Sequence, residues 1–460
     1  MSLKSKKASP IRKRGANTVL SALLAFSLAI APLSAFADEA SEAPAEAETT
    51  ASNSGESSSA VKHALHAVAS QTIHSNDTPL STTAEGACGL FVEKGATIIA
   101  NALAVETKGD GAAAVATSAE GGSVSITNSQ LATAGSGSPL MFSAGVVEAD
   151  NVQGTAAKSA LAVIEGAGSI LVNSSSLASS GADSVNGTLP TSAVALYRTE
   201  TIDASTDQVQ TAFFQASKSS LDSAIDSGSF FYLTNTTATI VLQDNKLDFN
   251  SDKAKLLVAK GSDATSALTP SNNSTVFGTA GKNGATVSFT ALDQSLSGNI
   301  EVDSISSVDF YLLDGSMWTG TSDVTANAAG ADLATNITVN IDATSGWIVT
   351  EDATVSALNI AKGGKLVDAD GKAVTIVDAD GNKLVDGASD VKVSVTNEFS
   401  TTVKTSSANA LQSATVDRTA FDEEFGTSTT FGTNGAGAAQ SDEERAAELK
   451  AFIIDWFQNL

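Results

Sequence analysis

Apolar residues recur in this chain at fixed offsets of 0, 2 and 7, and that pattern excludes most folds. Val124, Ile126 and Leu131 set the frame. Ile170, Val172 and Leu177 repeat it, as do Phe214, Ala216, Leu221 and Ile240, Leu242, Leu247. An offset of 2 keeps both side chains on one face of a strand. An offset of 7 requires the chain to turn a corner and point inward again. The residues between are polar: Asn128-Ser129, Asn173-Ser174 and Asp244-Asn245. Nine or ten residues later, in most copies, comes a second strand type. Its inward pairs are expected to be Leu140/Phe142, Leu161/Val163, Val194/Leu196, Phe231/Leu233 and Leu256/Val258. Copies start about 22–26 residues apart, the length of one three-strand coil, with an insertion near 180–190.

A coil of this length cannot bury its apolar face alone, so neighbouring coils must stack like over like. The fold class this implies is all-β: a right-handed parallel β-helix, or solenoid. Later in the chain a longer unit repeats. Val308, Phe310, Leu312 and Trp318 lie at offsets 0, 2, 4 and 10, and Ile337, Val339, Ile341 and Trp347 come at the same offsets 29 residues on.

The ends differ from this body. Lys4, Lys6, Lys7, Arg12, Lys13 and Arg14 precede an uncharged apolar run, Val19 to Phe36, and then Ala35-Phe36-Ala37. This is the pattern of a bacterial signal peptide over residues 1–37, cleaved after Ala37, and the mature chain is expected to have no transmembrane span. Six of the 26 Lys+Arg fall in that segment and no acid does. The remaining 20 face 51 Asp+Glu, a net charge of about −31. Such a surface repels phosphate backbones, which argues against nucleic acid as a partner. Residues 38–59 are acidic and poor in large apolar side chains, as in a disordered spacer. The solenoid is expected over 60–431: an N-terminal cap at 60–87, a first coil set at 88–297, and Trp-containing coils and hairpins at 298–431. A Gly-rich linker, 432–440, precedes a short C-terminal amphipathic α-helix at 441–460. Ser441 and Glu444 form its capping box, and Leu449, Phe452, Ile453, Trp456, Phe457 and Leu460 make one apolar face. That helix either caps the solenoid or binds a partner, for which a surface protein is the candidate.

Around the second repeat the phrases GNIEVDSISSVDFYLLDGSMWTG and SGWIVTEDATVSALNIAKGGKL occur. Here the sequence resembles the passenger domains of autotransporter-type adhesins and related surface β-helix proteins. The phrases lie within about 298–364, and the likeness in architecture extends over roughly 90–400. The resemblance implies an extracellular or cell-surface binding protein. The chain departs from that family in ending on a predicted helix, with no room for a C-terminal membrane barrel.

Enzymes share this fold class, so catalytic groups must be weighed. Beyond the signal segment the arginines are Arg198, Arg418 and Arg445, and only Arg198 falls in the first repeat. That is a poor supply for a β-helix polysaccharide lyase. A glycoside hydrolase needs two carboxylates at a set spacing, but in so acidic a chain a chance pair carries no information. His63, His66 and His74 could bind zinc. The stretch 60–70 reads instead as a short capping helix, and no metal or cofactor is expected. Val367-Asp-Ala-Asp-Gly-Lys and Val377-Asp-Ala-Asp-Gly-Asn lack the distal Glu of a calcium loop and read as hairpin turns. Cys88, the single cysteine, reads as a buried thiol.

The second strand type leaves Met141, Ala162, Ala195, Tyr232 and Leu257 as its expected outward row, none of them charged. Met141, Tyr232 and Leu257 are the candidate ligand-binding residues, with Tyr232 able to stack on a sugar ring; the alternative is that a loop covers the row. The expected function is a secreted, adhesin-type protein binding polysaccharide, host glycan or matrix molecules without catalysis. The alternatives are a β-helix lyase or hydrolase, and a structural surface-layer or spacer protein.

Overall fold

A computed structural model describes residues 61–180, 189–199, 210–263 and 277–432. These belong to one compact unit, 59–460. Its strands form parallel sheets, each coil adding one strand to each of three walls.

The first sheet runs through ten strands, from Leu65–Ala67 to Ser322–Thr325, and the second through fourteen, beginning at Thr72–Asn76. The third holds seven, from Pro79–Thr82 to Lys246–Asp248; a fourth, from Ser295–Ser297 to Lys365–Asp368, holds four strands of the later coils. The expected parallel β-helix is therefore the observed fold.

Register is set by the side chains. Val124, Val147 and Ile170 stack as one row, which continues through Phe214, Ile240, Phe289 and Phe310. The row contributed by offset 2 is Ile126, Ala149, Val172, Ala216 and Leu242. All of these are buried. Each large aliphatic so removed from water contributes roughly 1.5–3 kcal/mol. The later repeat pairs as its spacing demands: Phe310 on Val339, Leu312 on Ile341 and Trp318 on Trp347. The two indoles stack at 4.5 Å and 16°.

Corners are built from polar ladders. After each of the first seven second-sheet strands one residue turns with positive φ: Asp77, Ala102, Asn128, Asn151, Ser174, Lys218 and Asp244 lie between 47° and 55°. Asn and Asp tolerate that conformation because their side chains bond locally. Asn101 donates to Asn76 at 2.8 Å, Asn128 to Asn101 at 2.7 Å, and Asn151 to Asn128 at 2.7 Å. Such a ladder fixes coil on coil.

The two ends are unlike. At the C-terminal end Lys392–Ser400 pairs with Ala353–Ile360, and the hairpin of Thr375–Asp378 with Lys383–Val385 closes the second sheet. The Asp-Gly turns occur as expected, with Gly371 and Gly381 at φ 78° and 81°. At the N-terminal end the helix expected over 60–70 is absent. Leu65–Ala67 is a strand pairing with Leu90–Val92, so residues expected to be a cap already form a coil. Parallel pairing over an apolar core outweighs the high helix propensity of the local alanines, which tertiary packing readily overrides. The signal peptide, the acidic spacer and the helix at 441–460 lie outside the described residues. No helix among those residues is long and apolar enough to cross a membrane.

Candidate functional site

The outer face of the first sheet differs from expectation by one residue in three of its coils. Met141, Ala162, Val194, Phe231 and Leu257 form one continuous row. That row points into the main core, and Met141 and Leu257 are both 0% exposed. Neither faces a ligand. The outward row is Phe91, Ala116, Phe142, Val163, Ala195, Tyr232 and Val258. Tyr232 and Ala195 are thus placed outward, as read from the sequence. The slip has a physical cause. These strands are apolar on both faces, so alternation cannot tell which residues turn inward.

Most of the outward row is covered. Val163, Ala195, Tyr232 and Val258 pack with Leu189, Tyr197 and Phe277 in a second apolar cluster. Leu189 and Phe277 come from two of the long connections, 180–191 and 260–285. Tyr232 is only 3% exposed, and burial first, with the nearby Asp303 carboxylate, raises its phenol pKa. In this state it offers no stacking face.

The N-terminal part of the row is more open. Phe91 and Phe142 are half-buried and pack against Cys88, Ala113 and Ala116. They sit two strands apart with Ala116 between, about 9.6 Å at the usual strand spacing. The His63 ring stacks on Phe91 at 4.1 Å and 10°, and His66 meets Phe91 edge-on at 5.4 Å. His63 Nδ1 accepts from the Cys88 amide at 3.0 Å. Burial, and then His66, hold the His63 pKa below the usual range. His66 pairs with Glu93 at 3.1 Å. His74 lies on another sheet and pairs with Glu424. Among the described residues no group of three His, Cys, Asp or Glu is arranged to hold a metal. The Cys88 thiol is buried, with its pKa pushed up to about 11 by that burial.

The second sheet's outer face carries a feature that the repeats do not announce. Its outward row reads Ile99, Ser125, Glu148, Leu171, Gln215, Val241 and Thr290, and every member is buried. The chain after Ser400 lies across it and runs back toward the N-terminal coils. Asn409 donates to Thr290 at 2.9 Å. Gln412 and Gln215 exchange two bonds, at 2.7 and 3.0 Å. Thr415 and Val416 donate to Glu148, which is 1% exposed. Arg418, 3% exposed, donates to Ser125 and Thr127 and to the Ala100 carbonyl. Burial lowers the Arg418 pKa to about 10. A seven-residue helix, Thr419–Phe425, then sets Phe421 against His74 at 5.5 Å. Its end at Gly426 (φ 63°) turns the chain, and the Gly432 amide donates to Asp150 at 2.7 Å. Sequence reasoning missed this strap. The available signal was Arg418, an arginine in an otherwise polar acidic stretch.

The third sheet is uncovered. Its two outward rows run from Pro79 through Gln130, Gln153 and Ser176 to Lys246, and from Ser81 through Glu106 and Thr155 to Asp248; none of these residues is buried. Asp222 and Asp248 are paired on adjacent strands there. Burial, then Asp248, raise the Asp222 pKa, and Lys246 lies 2.9 Å from Asp248.

No protein-family model and no curated protein matches the chain. A chain in the cryo-EM structure of the Vag8–C1 inhibitor complex is similar. The identity is 13%, the match covers 75% of this chain and 90% of that one, and the TM-score is 0.38. The parallel β-helix described above rests on the strand pairing itself.

Proposed function

We propose that this is an extracellular binding protein that recognises a neutral polysaccharide or glycan without cleaving it. The surface used is the open end of the first sheet's outward row. One observation carries this reading: Phe91 and Phe142 remain half-exposed, while the apolar row beyond them is sealed by Leu189 and Phe277. Phe142 and the His63–Phe91 stack together present an apolar surface with little conformational entropy to lose, which suits the C–H face of a sugar ring. Imidazoles at His63 and His66 add polar contacts at the same place. The chain as a whole is strongly acidic, so an uncharged polymer fits better than a polyanion.

A second reading has its own observation. The Asp222–Asp248 pair, with one carboxyl shifted upward, is the kind of arrangement a glycoside hydrolase requires. A panel of polysaccharides and host glycans, incubated with the mature chain and examined for both binding and product length, distinguishes the two. Saturable binding to one uncharged class, with the polymer intact, is expected. Shortening that disappears in Asp222→Asn transfers the assignment to the hydrolase. An absence of binding across the panel removes the glycan reading.

A further inference from the structure

Among the described residues, the N-terminal coil leaves one end of the main core partly open. Leu65, Ile73 and Leu80 are half-exposed, while the residues stacked on them, Leu90, Ile98 and Val105, are 0%, 0% and 3% exposed. Among the described residues, Leu65–Ala67, Thr72–Asn76 and Pro79–Thr82 each pair on one side only. Val61 and Val68 add exposed apolar surface, at 48% and 41%. An open strand edge over an apolar core invites pairing with another chain. The C-terminal end has its hairpin; this end has no counterpart among the described residues.

The strap determines what can reach it. The chain is last described at Gly432, bonded to Asp150. Asp150 stacks on Thr127, Asn101 and Asn76, so the first coil is three strands away, about 14 Å. Residues 433–440 span up to roughly 26 Å when extended. Towards the far end, Lys392–Ser400 is eight strands from Asp150 in the same sheet, about 38 Å, and Thr375–Asp378 lies one strand further. The linker reaches the near end with slack and cannot reach the far one. Beyond the linker, the final segment carries Leu449, Phe452, Ile453, Trp456, Phe457 and Leu460 at helical spacing.

We propose that residues 441–460 fold as an amphipathic helix that caps the N-terminal end of the solenoid. Its apolar face covers Leu65, Ile73 and Leu80, and the strap is the tether that delivers it there. Residues 38–60 also lie next to this end in sequence, but they contain no large apolar side chain with which to cover a core. The inference is independent of the proposed ligand.

Native lysines test it. Lys450 lies within the segment and Lys62 beside the open end, whereas Lys383 and Lys392 mark the far end. Amine cross-linking of the monomeric mature chain, as a mixture of isotopically light and heavy protein, is expected to join Lys450 to Lys62 within one molecule. Links from Lys450 to Lys383 or Lys392, or links to Lys62 only between molecules, would overturn the proposal; the latter would indicate a second copy at that edge. Hydrogen exchange gives an independent readout in Phe452→Asp/Trp456→Asp. Exchange within residues 65–82 should quicken at least tenfold while later coils stay unchanged. Unchanged exchange at 65–82 would contradict the cap.

Discussion

At the scale of single residues, position within the stack decides what a side chain does. Trp318 and Trp347 are both 0% exposed, and their Nε1 groups donate to the Gly298 and Gly320 carbonyls at 2.8 and 2.9 Å. Trp347→Ala should therefore cost about 3–5 kcal/mol in its own coils, read as a lowered urea midpoint and loss of the near-UV dichroism of the stacked pair. His63 shows the same dependence on neighbours. Its Nδ1 accepts the Cys88 amide, so only the neutral ring keeps that bond. Its folded pKa lies below the unfolded value, so the unfolded chain binds the extra proton first. Stability from this residue is complete above about pH 6.5 and declines as pH falls through the folded pKa. The protection factor of the Cys88 amide, corrected for the intrinsic slowing of exchange in acid, should fall on acidification from pH 7 to 5, and His63→Phe should remove that fall. The histidines' metal reading was open in the sequence because spacing alone does not reveal that His74 belongs to a different sheet.

Elements differ in how much of themselves the sequence discloses. In several second-sheet strands aliphatic residues alternate with Ser, Glu, Gln or Thr, as at Val124-Ser125-Ile126, and the constant offset to Leu131 and Leu177 made Ile170/Val172 readable beside Leu171. The coil of Val147 and Ala149 was hidden because Gly154 stands where others have leucine. A Cβ there would lie 2.7 Å from Leu140, whose side chain fills the space. First-sheet strands, buried on both faces, gave Met141 and Leu257 the wrong side. The strap is held by hydrogen bonds more than by apolar spacing, and periodicity is blind to those. Arg418→Ala should release it, with a local loss of about 3 kcal/mol, since the Arg418 contacts are charge-assisted and buried. The expected readout is faster exchange across residues 399–432 with the inner coils unaffected. Close stacking also limits the corners. A Cβ on Gly135 would lie 1.9 Å from the Gly109 carbonyl oxygen, so Gly135→Ala should destabilise the adjoining coils. Limited proteolysis near 134–139 reads this out.

For the whole molecule, stability is a sum over neighbouring coils, and single changes are felt where they occur. Surfaces are allotted in the same modular way: the strap seals the second sheet, and two long connections seal most of the first. This division leaves uncovered the polar third sheet and the partly open aromatic row at Phe91 and Phe142, the row proposed above for recognition. Its full register was not legible, because the outward set could be assigned only once neighbouring strands were aligned. The most direct test is calorimetric titration of the mature chain with the uncharged glycan selected from the panel, beside Phe91→Ala/Phe142→Ala. Saturable binding by the native chain is expected, with binding by the double variant at least tenfold weaker, about 1.4 kcal/mol, and exchange protection of the inner rows retained. Equal affinity in the two proteins would contradict recognition at Phe91 and Phe142.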